Sequence, residues 1–384
     1  MKKLSIFLLT IINIFTVFNV LPAKAQSLSD GIFQDEYLMG EVIKTSEIEN
    51  SEFIDDNSRT QKAEVFINSG SEKGKKHEIT HQFSNTNADV QALKEGELII
   101  ILKNQEFSEA FYYIADKYRL PWIIGLLIVF ALLAITFTGW KGLTALIGLA
   151  FNIVVIVSFI IPQIIQGTNP LLVSFLGGVV IAIVSLYFAH GFNKRSSIAL
   201  GSTLITLLIA LGLSVLFVYL TKLTGAGTEE AFFLQFGDFA NINLKGLFLG
   251  GIIIGTLGVL DDVTTAQTAA IYELKRANKN YGFKELYKSG LSIGSEHISS
   301  LVNTLALAYA GSAMPILLLF TISQQPLWVI LNGELVSEEL VRTLVGSMSL
   351  ILAVPITTSI AAYYYSKKDL LATKKQKPIR LHHH

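Results

Sequence analysis

Two adjacent carboxylates, Asp261 and Asp262, end the run LKGLFLGGIIIGTLGVL, which has no charge after Lys245. Ionisable groups at membrane depth are costly and mark ion, proton or substrate sites when they occur. A second apolar run further on, GSEHISSLVNTLALAYAGSAMP, opens with Glu296 and His297 and carries Asn303 one to two turns deeper. Asp, Asp, Glu and His at one level, with the Thr265 hydroxyl nearby, could bind a cation, relay protons or recognise a cationic solute. The competing reading is structural: the aspartates end one helix, while Ser295 caps the next and Glu296 suits its positive N-terminus. It leaves His297 and Asn303 unexplained, and aspartate at a helix C-terminus opposes the macrodipole.

The helix carrying the aspartates sets their directions. Gly251, Gly255, Gly258 and Asp262 share one face, and small residues on such a face let another backbone approach closely. These three glycines are therefore expected to pack a neighbouring helix, with Asp262 pointing at protein. Asp261 lies about 100° around, toward Thr264, Thr265 and Thr268. From Leu244 to Leu260 the run is about 26 Å long at 1.5 Å per residue, just short of the roughly 30 Å hydrocarbon core. The aspartates belong at one membrane boundary or slightly inside it.

Composition supports a membrane setting. The 384 residues are 51% hydrophobic and 16% charged, with formal net charge zero, which gives no hint of a nucleic-acid partner. The absence of cysteine excludes disulfides, thiolate catalysis and Cys-ligated metals. Seven apolar spans are expected: Trp122–Thr138, Gly142–Ile161, Leu171–Ala189, Ile198–Leu220, Leu244–Val263, Ile298–Phe320 and Leu340–Tyr365. With the N-terminus outside, the inner side collects Lys141, Lys194, Arg195, Lys275, Arg276, Lys279, Lys284, Lys288 and the tail from Lys367. The outer loops hold only Lys222 and Lys245. The expectation is an α-helical polytopic membrane protein of about seven helices, N-out and C-in, preceded by a small extracytoplasmic mainly-β domain.

The boundaries follow. Residues 1–25 read as a signal peptide: Lys2, Lys3, an apolar stretch and Ala23-Lys24-Ala25. Residues 26–119 are the β-rich domain, with strand-like runs at 37–44, 63–70, 77–84, 97–103 and 110–116. If 77–84 is a strand, His77 and His81 lie on one face, about 13 Å apart, and read as exposed polar residues rather than metal ligands. Residues 120–366 form the transmembrane domain, with an inner-face amphipathic segment at 264–296 whose basic residues turn to lipid headgroups. Residues 367–384 are a basic cytoplasmic tail, and its three terminal histidines carry no metal argument. Among the polar groups in the spans, Asn152 reads as interhelical glue, and Arg342 as the partner of Glu338 at i−4. Pro315 and Pro355 are expected to kink their spans. The loop with Phe232, Phe233, Phe236 and Phe239 is expected to be re-entrant or to lie on the outer surface.

The chain resembles the YibE/F family of multi-pass bacterial membrane proteins. The resemblance rests on G-V-L-D-D-V (258–263), S-I-G-S-E-H-I (292–298), V-N-T-L-A-L-A-Y-A-G (302–311), M-P-I-L-L-L-F (314–320), R-T-L-V-G-S (342–347) and A-V-P-I-T-T (353–358). P-Q-I-I-Q-G-T-N-P (162–170) and Y-F-A-H-G (187–191) also fit. It implies a bacterial cytoplasmic-membrane protein with an exported N-terminal β domain. It implies aspartate where Glu296 stands, and the acidic character is kept.

Three functions stay open. The first is a permease or exporter of a solute, with or without ion coupling, using Asp261, Asp262, Thr265, Glu296, His297 and Asn303. The second is an envelope assembly or accessory protein whose β domain binds a partner. The third is an intramembrane hydrolase, for which there is no H-E-x-x-H and no G-x-S-x-G motif. Adjacent aspartates, moreover, point about 100° apart. No catalytic residue, metal ligand or cofactor is assigned; the partners expected are the lipid bilayer and a solute or cation.

Overall fold

The computed structural model describes residues 34–50, 58–84, 88–106, 109–236 and 241–367. The expected signal peptide, Phe239 and nearly all of the basic tail lie outside the described residues. The chain divides into two compact units, with the break between Phe137 and Thr138. That is later than the boundary expected at 119/120: the first apolar helix groups with the β-rich segment.

In the first unit the strands are β1 (Gln34–Thr45), β2 (Glu49–Asn50), β3 (Ser58–Ile67), β4 (Lys76–Ser84), β5 (Leu98–Glu106) and β6 (Glu109–Lys117). All pairings are antiparallel: β1 lies between β3 and β5, β6 pairs β5, and β4 pairs β3. The five expected strands are all present. Alternation explains them, since every second residue turns inward. Leu38, Val42, Ala63, Val65, Ile67, Ile79, Ile99 and Ile101 make the core, with Leu93 closing it beside the one-turn helix α1 (Ala88–Gln91). The sheet curls until β4 meets β6, where the His77 ring lies 4.2 Å from that of Tyr112. His77 and His81 do share a face but are half-buried rather than exposed: His77 Nε2 is 3.7 Å from Glu72, beyond hydrogen-bond reach, and His81 Nε2 is 3.2 Å from the Gln91 carbonyl. Helix α2 (Leu120–Thr138) follows and buries none of its residues.

The second unit is helical: α3 (Trp140–Ile165), α4 (Pro170–His190), α5 (Lys194–Leu220), the short α6 (Glu229–Phe233), α7 (Leu244–Ala277), α8 (Phe283–Ser312), α9 (Met314–Ile322), the short α10 (Leu327–Asn332) and α11 (Glu334–Ser366). Asparagines set three of the starts. Asn169, Asn193 and Asn243 each accept a backbone N–H from the first turn of α4, α5 and α7. Among the described residues six helices are long and apolar enough to cross a membrane, and seven spans result if the bent pair α8–α9 counts as one. Its 64° bend falls where Pro315 withdraws an N–H and biases Met314 away from helix, so the expected kink is a break. Helix α11 runs through Pro355.

Helix α7 is the axle. Its Gly250 meets Ser174 of α4, its Thr264 hydroxyl lies 2.8 Å from that of Thr203 on α5, and its Gln267 donates to Thr358 of α11 and to the Gly290 carbonyl of α8, both at 2.7 Å. Leu207, Ile253, Leu257, Leu260, Val263 and Val354 fill the space between. One expectation is corrected here. Residues 264–296 are no separate interfacial helix: α7 continues unbroken to Ala277, and α8 begins at Phe283. Lys275 is buried and does not reach for headgroups; its Nζ donates to the carbonyls of Lys279 (2.7 Å) and Tyr281 (2.9 Å), tying the turn of this hairpin.

Candidate functional site

Asp262 and Thr265 line a cavity of about 660 Å³ within the helical unit. Helix α7 supplies Asp262, Thr265 and Ala269; α3 supplies Lys141; the end of α4 and start of α5 supply His190, Asn193, Arg195 and Ser196. Asp262 is exposed to the cavity and lies within electrostatic reach of His190. The guanidinium of Arg195 also sits 4.8 Å over the Tyr272 ring, which fixes its position. One carboxylate and two permanent cations make the lining net positive, not acidic as the sequence suggested. Asp261 turns about 100° away, toward Ser185 of α4. Its Oδ1 is buried without a hydrogen-bond partner among the described residues, and so is the Thr265 hydroxyl.

Glu296, His297 and Asn303 do not join this site. Depth is as expected: Gln267 contacts both Gly290 and Gly294, so counting along the antiparallel helices puts Asp262 level with His297. Direction differs. Leu291, Ile298, Leu301 and Leu305 turn α8's apolar face to the core, which sends Glu296, His297 and Asn303 outward and leaves them exposed. Helical periodicity ties those positions together, and the apolar face wins the interior.

The packing glycines are also reassigned. Gly251, Gly255 and Gly258 are exposed and meet no helix backbone. A Cβ on Gly251 would stand 3.3 Å from Arg342 Nη1, one on Gly255 would stand 3.9 Å from the Tyr309 hydroxyl, and Gly258 faces open space. Close packing falls instead to Gly246 against Pro170 and Gly250 against Ser174. Two glycine rows run along α7, and the sequence does not say which one meets α4.

Arg342 and Tyr309 line a second cavity, of about 430 Å³, with Glu338 and Glu339. The expected Glu338–Arg342 pair is absent. Arg342 Nε lies 3.3 Å from Glu339, while the buried Glu338 accepts the Gly227 N–H at 3.0 Å. Glu334 accepts from the Thr224 backbone N–H at 2.6 Å and from its hydroxyl, so the chain after α5 is latched to α11. Phe232, Phe233 and Phe236 stay exposed beyond that latch. Asn152 Oδ1 is buried with no partner among the described residues, so this oxygen makes no interhelical bond there.

The family model described as YibE/F-like protein matches residues 126–367, and that described as YibE/F family N-terminal domain matches residues 35–116. The chain belongs to the YibE/F family. No curated protein and no solved structure matches it. The first YibE/F match holds every residue of both cavities, and the second holds nearly all of the described sheet. Lys141 and Arg195 read in sequence as inner-side basic residues, and His190 as part of the Y-F-A-H-G stretch. Their signal was depth: His190 ends α4 near Asp262, and only the fold shows that it faces the same space.

Proposed function

We propose that this YibE/F protein is a permease of the bacterial cytoplasmic membrane for a small solute bearing an anionic group, with the β-rich unit outside and the C-terminus inside. The observation that supports this is one face of α7. It runs from Arg342 and Tyr309, beside Gly251 and Gly255, past the open Gly258, to Asp262 and Thr265 in the larger cavity. Over about 16 Å, eleven residues at 1.5 Å each, no α7 side chain stands on that face. A route without α7 side chains between two cavities that each carry charged groups suits passage better than storage of a cofactor.

Lys141 and Arg195 supply the attraction for an anionic group, and Asp262 competes with it for the same cations. Binding that is strong enough to admit and weak enough to release is what conduction requires. The buried Asp261 oxygen that lacks a donor is the place where a proton or cation would couple to the solute. Orientation follows the basic residues, which gather at the larger cavity's end.

The test is flux in proteoliposomes challenged with a panel of small organic anions and zwitterions, read as charge movement on a solid-supported membrane. The wild type is expected to respond to an anionic or zwitterionic member, and Asp262→Asn is expected to lose at least most of that response. Equal responses from Asp262→Asn and wild type would remove the site assigned here.

A further inference from the structure

Helix α8 carries a feature that the permease reading does not use. Its inward side is fully engaged: Gly290 and Gly294 are buried against Ile271, Thr358 and Val354, and Leu291, Ile298, Leu301 and Leu305 pack on the core. Ser300 lies nine residues, two and a half turns, beyond Leu291, hence on the opposite side. Around it stand Glu296, His297, Asn303 and Thr304, all exposed. The side chains of Glu296, His297 and Asn303 make no hydrogen bond or ion pair among the described residues. The Thr304 hydroxyl bonds only back to the Ser300 carbonyl, at 2.9 Å.

Counted as one span, α8 with α9 would turn this side to hydrocarbon from Ile298 onward, with Glu296 and His297 at its edge. Lipid tails offer an amide, a carboxylate or an imidazole no partner. Helix α2, of the other unit, holds no ionisable side chain and, for hydrogen bonding, only Trp122, Thr136 and Thr138. Something polar must cover the stripe. We infer that a second copy of this chain covers it, the two α8 helices meeting in parallel about a twofold axis normal to the membrane.

The spacing fits that occupant. Ile293, Glu296, Ser300, Asn303 and Leu307 recur at alternating steps of three and four, the seam of a parallel two-stranded coil. Two copies in one membrane have the same orientation, so equal residues meet at equal depth. An asparagine amide both donates and accepts, so Asn303 pairs with its own counterpart. Small Ser300 lets the backbones approach. His297, adjacent to Glu296, places an imidazole of each copy beside the carboxylate of the other, which offsets the repulsion of two facing glutamates. The stripe is thus complementary to itself in hydrogen bonding and in charge.

The chain contains no cysteine, so single cysteines report without background. Ser300→Cys and Asn303→Cys, each in the full chain in membranes, are to be oxidised with copper phenanthroline and run on a denaturing gel. The expected result is a reducible band at twice the chain's mass for both. Leu208→Cys, at an exposed apolar position of α5, is expected to stay single. The inference is overturned if neither stripe variant gives the doubled band, if the Leu208→Cys control gives as much, or if the adduct has the mass of a different protein. Native mass measurement of the cysteine-free chain in nanodiscs gives the second readout: two copies support the inference and one copy overturns it.

Discussion

At the scale of single residues, charge assignments are decided by neighbours that the sequence keeps distant. In the β-rich unit, Lys103 donates to Glu72 at 2.7 Å and Lys75 lies 2.6 Å from it, holding the Glu72 carboxyl down from its usual 4.5 to about 2. A carboxyl depressed by folding adds stability above its unfolded pKa, and that stability is lost as pH falls through the folded value. The wild type is therefore expected to lose protection of β5 amides from hydrogen exchange between pH 4.5 and 2 more steeply than Glu72→Gln does. Parallel profiles would mean that the Lys103 contact contributes nothing. The pair at Asp262 teaches the complementary lesson. Four ionisable residues at one depth read as a single acidic cluster, yet azimuth divides them. Asp262 meets Lys141, His190 and Arg195, while Glu296 and His297 face away from the core.

At the scale of elements, α7 shows how much of the site was legible. Its glycine periodicity, its acidic pair and the depth of both were readable, because they depend on local spacing and on the approximate thickness of a bilayer. Which of its two glycine rows meets a helix was not readable, because that depends on where α4 docks. The structure makes the distinction testable. A Cβ at Gly250 would collide with Ser174 Oγ and lie 2.8 Å from its Cβ, so Gly250→Ala must push α4 and α7 apart. Overpacking of this kind costs about 1–3 kcal/mol. Gly258 has nothing within 4 Å, and alanine there gains up to about 1 kcal/mol of helix propensity. Thermal unfolding in detergent is expected to show a lowered midpoint for Gly250→Ala and an unchanged or raised one for Gly258→Ala. The reverse order would restore the exposed row as the packing face. The helical hairpin at 278–282 escaped the sequence reading for a different reason. Its basic residues match an interfacial helix in composition, and only Lys275's two carbonyl contacts reveal a lysine spent on a turn.

At the scale of the whole molecule, a six-stranded sheet and, among the described residues, six or seven candidate spans, the first of them grouped with the sheet, follow from alternation in one part and long apolar runs in the other. Function at this scale rests on one physical claim. The proposed permease requires the cavity at Asp262 to be a hydrated, positively biased vestibule open to the cytoplasmic side. Thr265 is the position to probe, since it lines the cavity. Thiol modification of Thr265→Cys in sealed, oriented vesicles measures water access, sidedness and charge together, and the absence of native cysteine makes the readout clean. The account predicts labelling from the cytoplasmic side only, faster with an anionic methanethiosulfonate than with a cationic one of similar size. No labelling from that side, or a faster reaction with the cationic reagent, would contradict it.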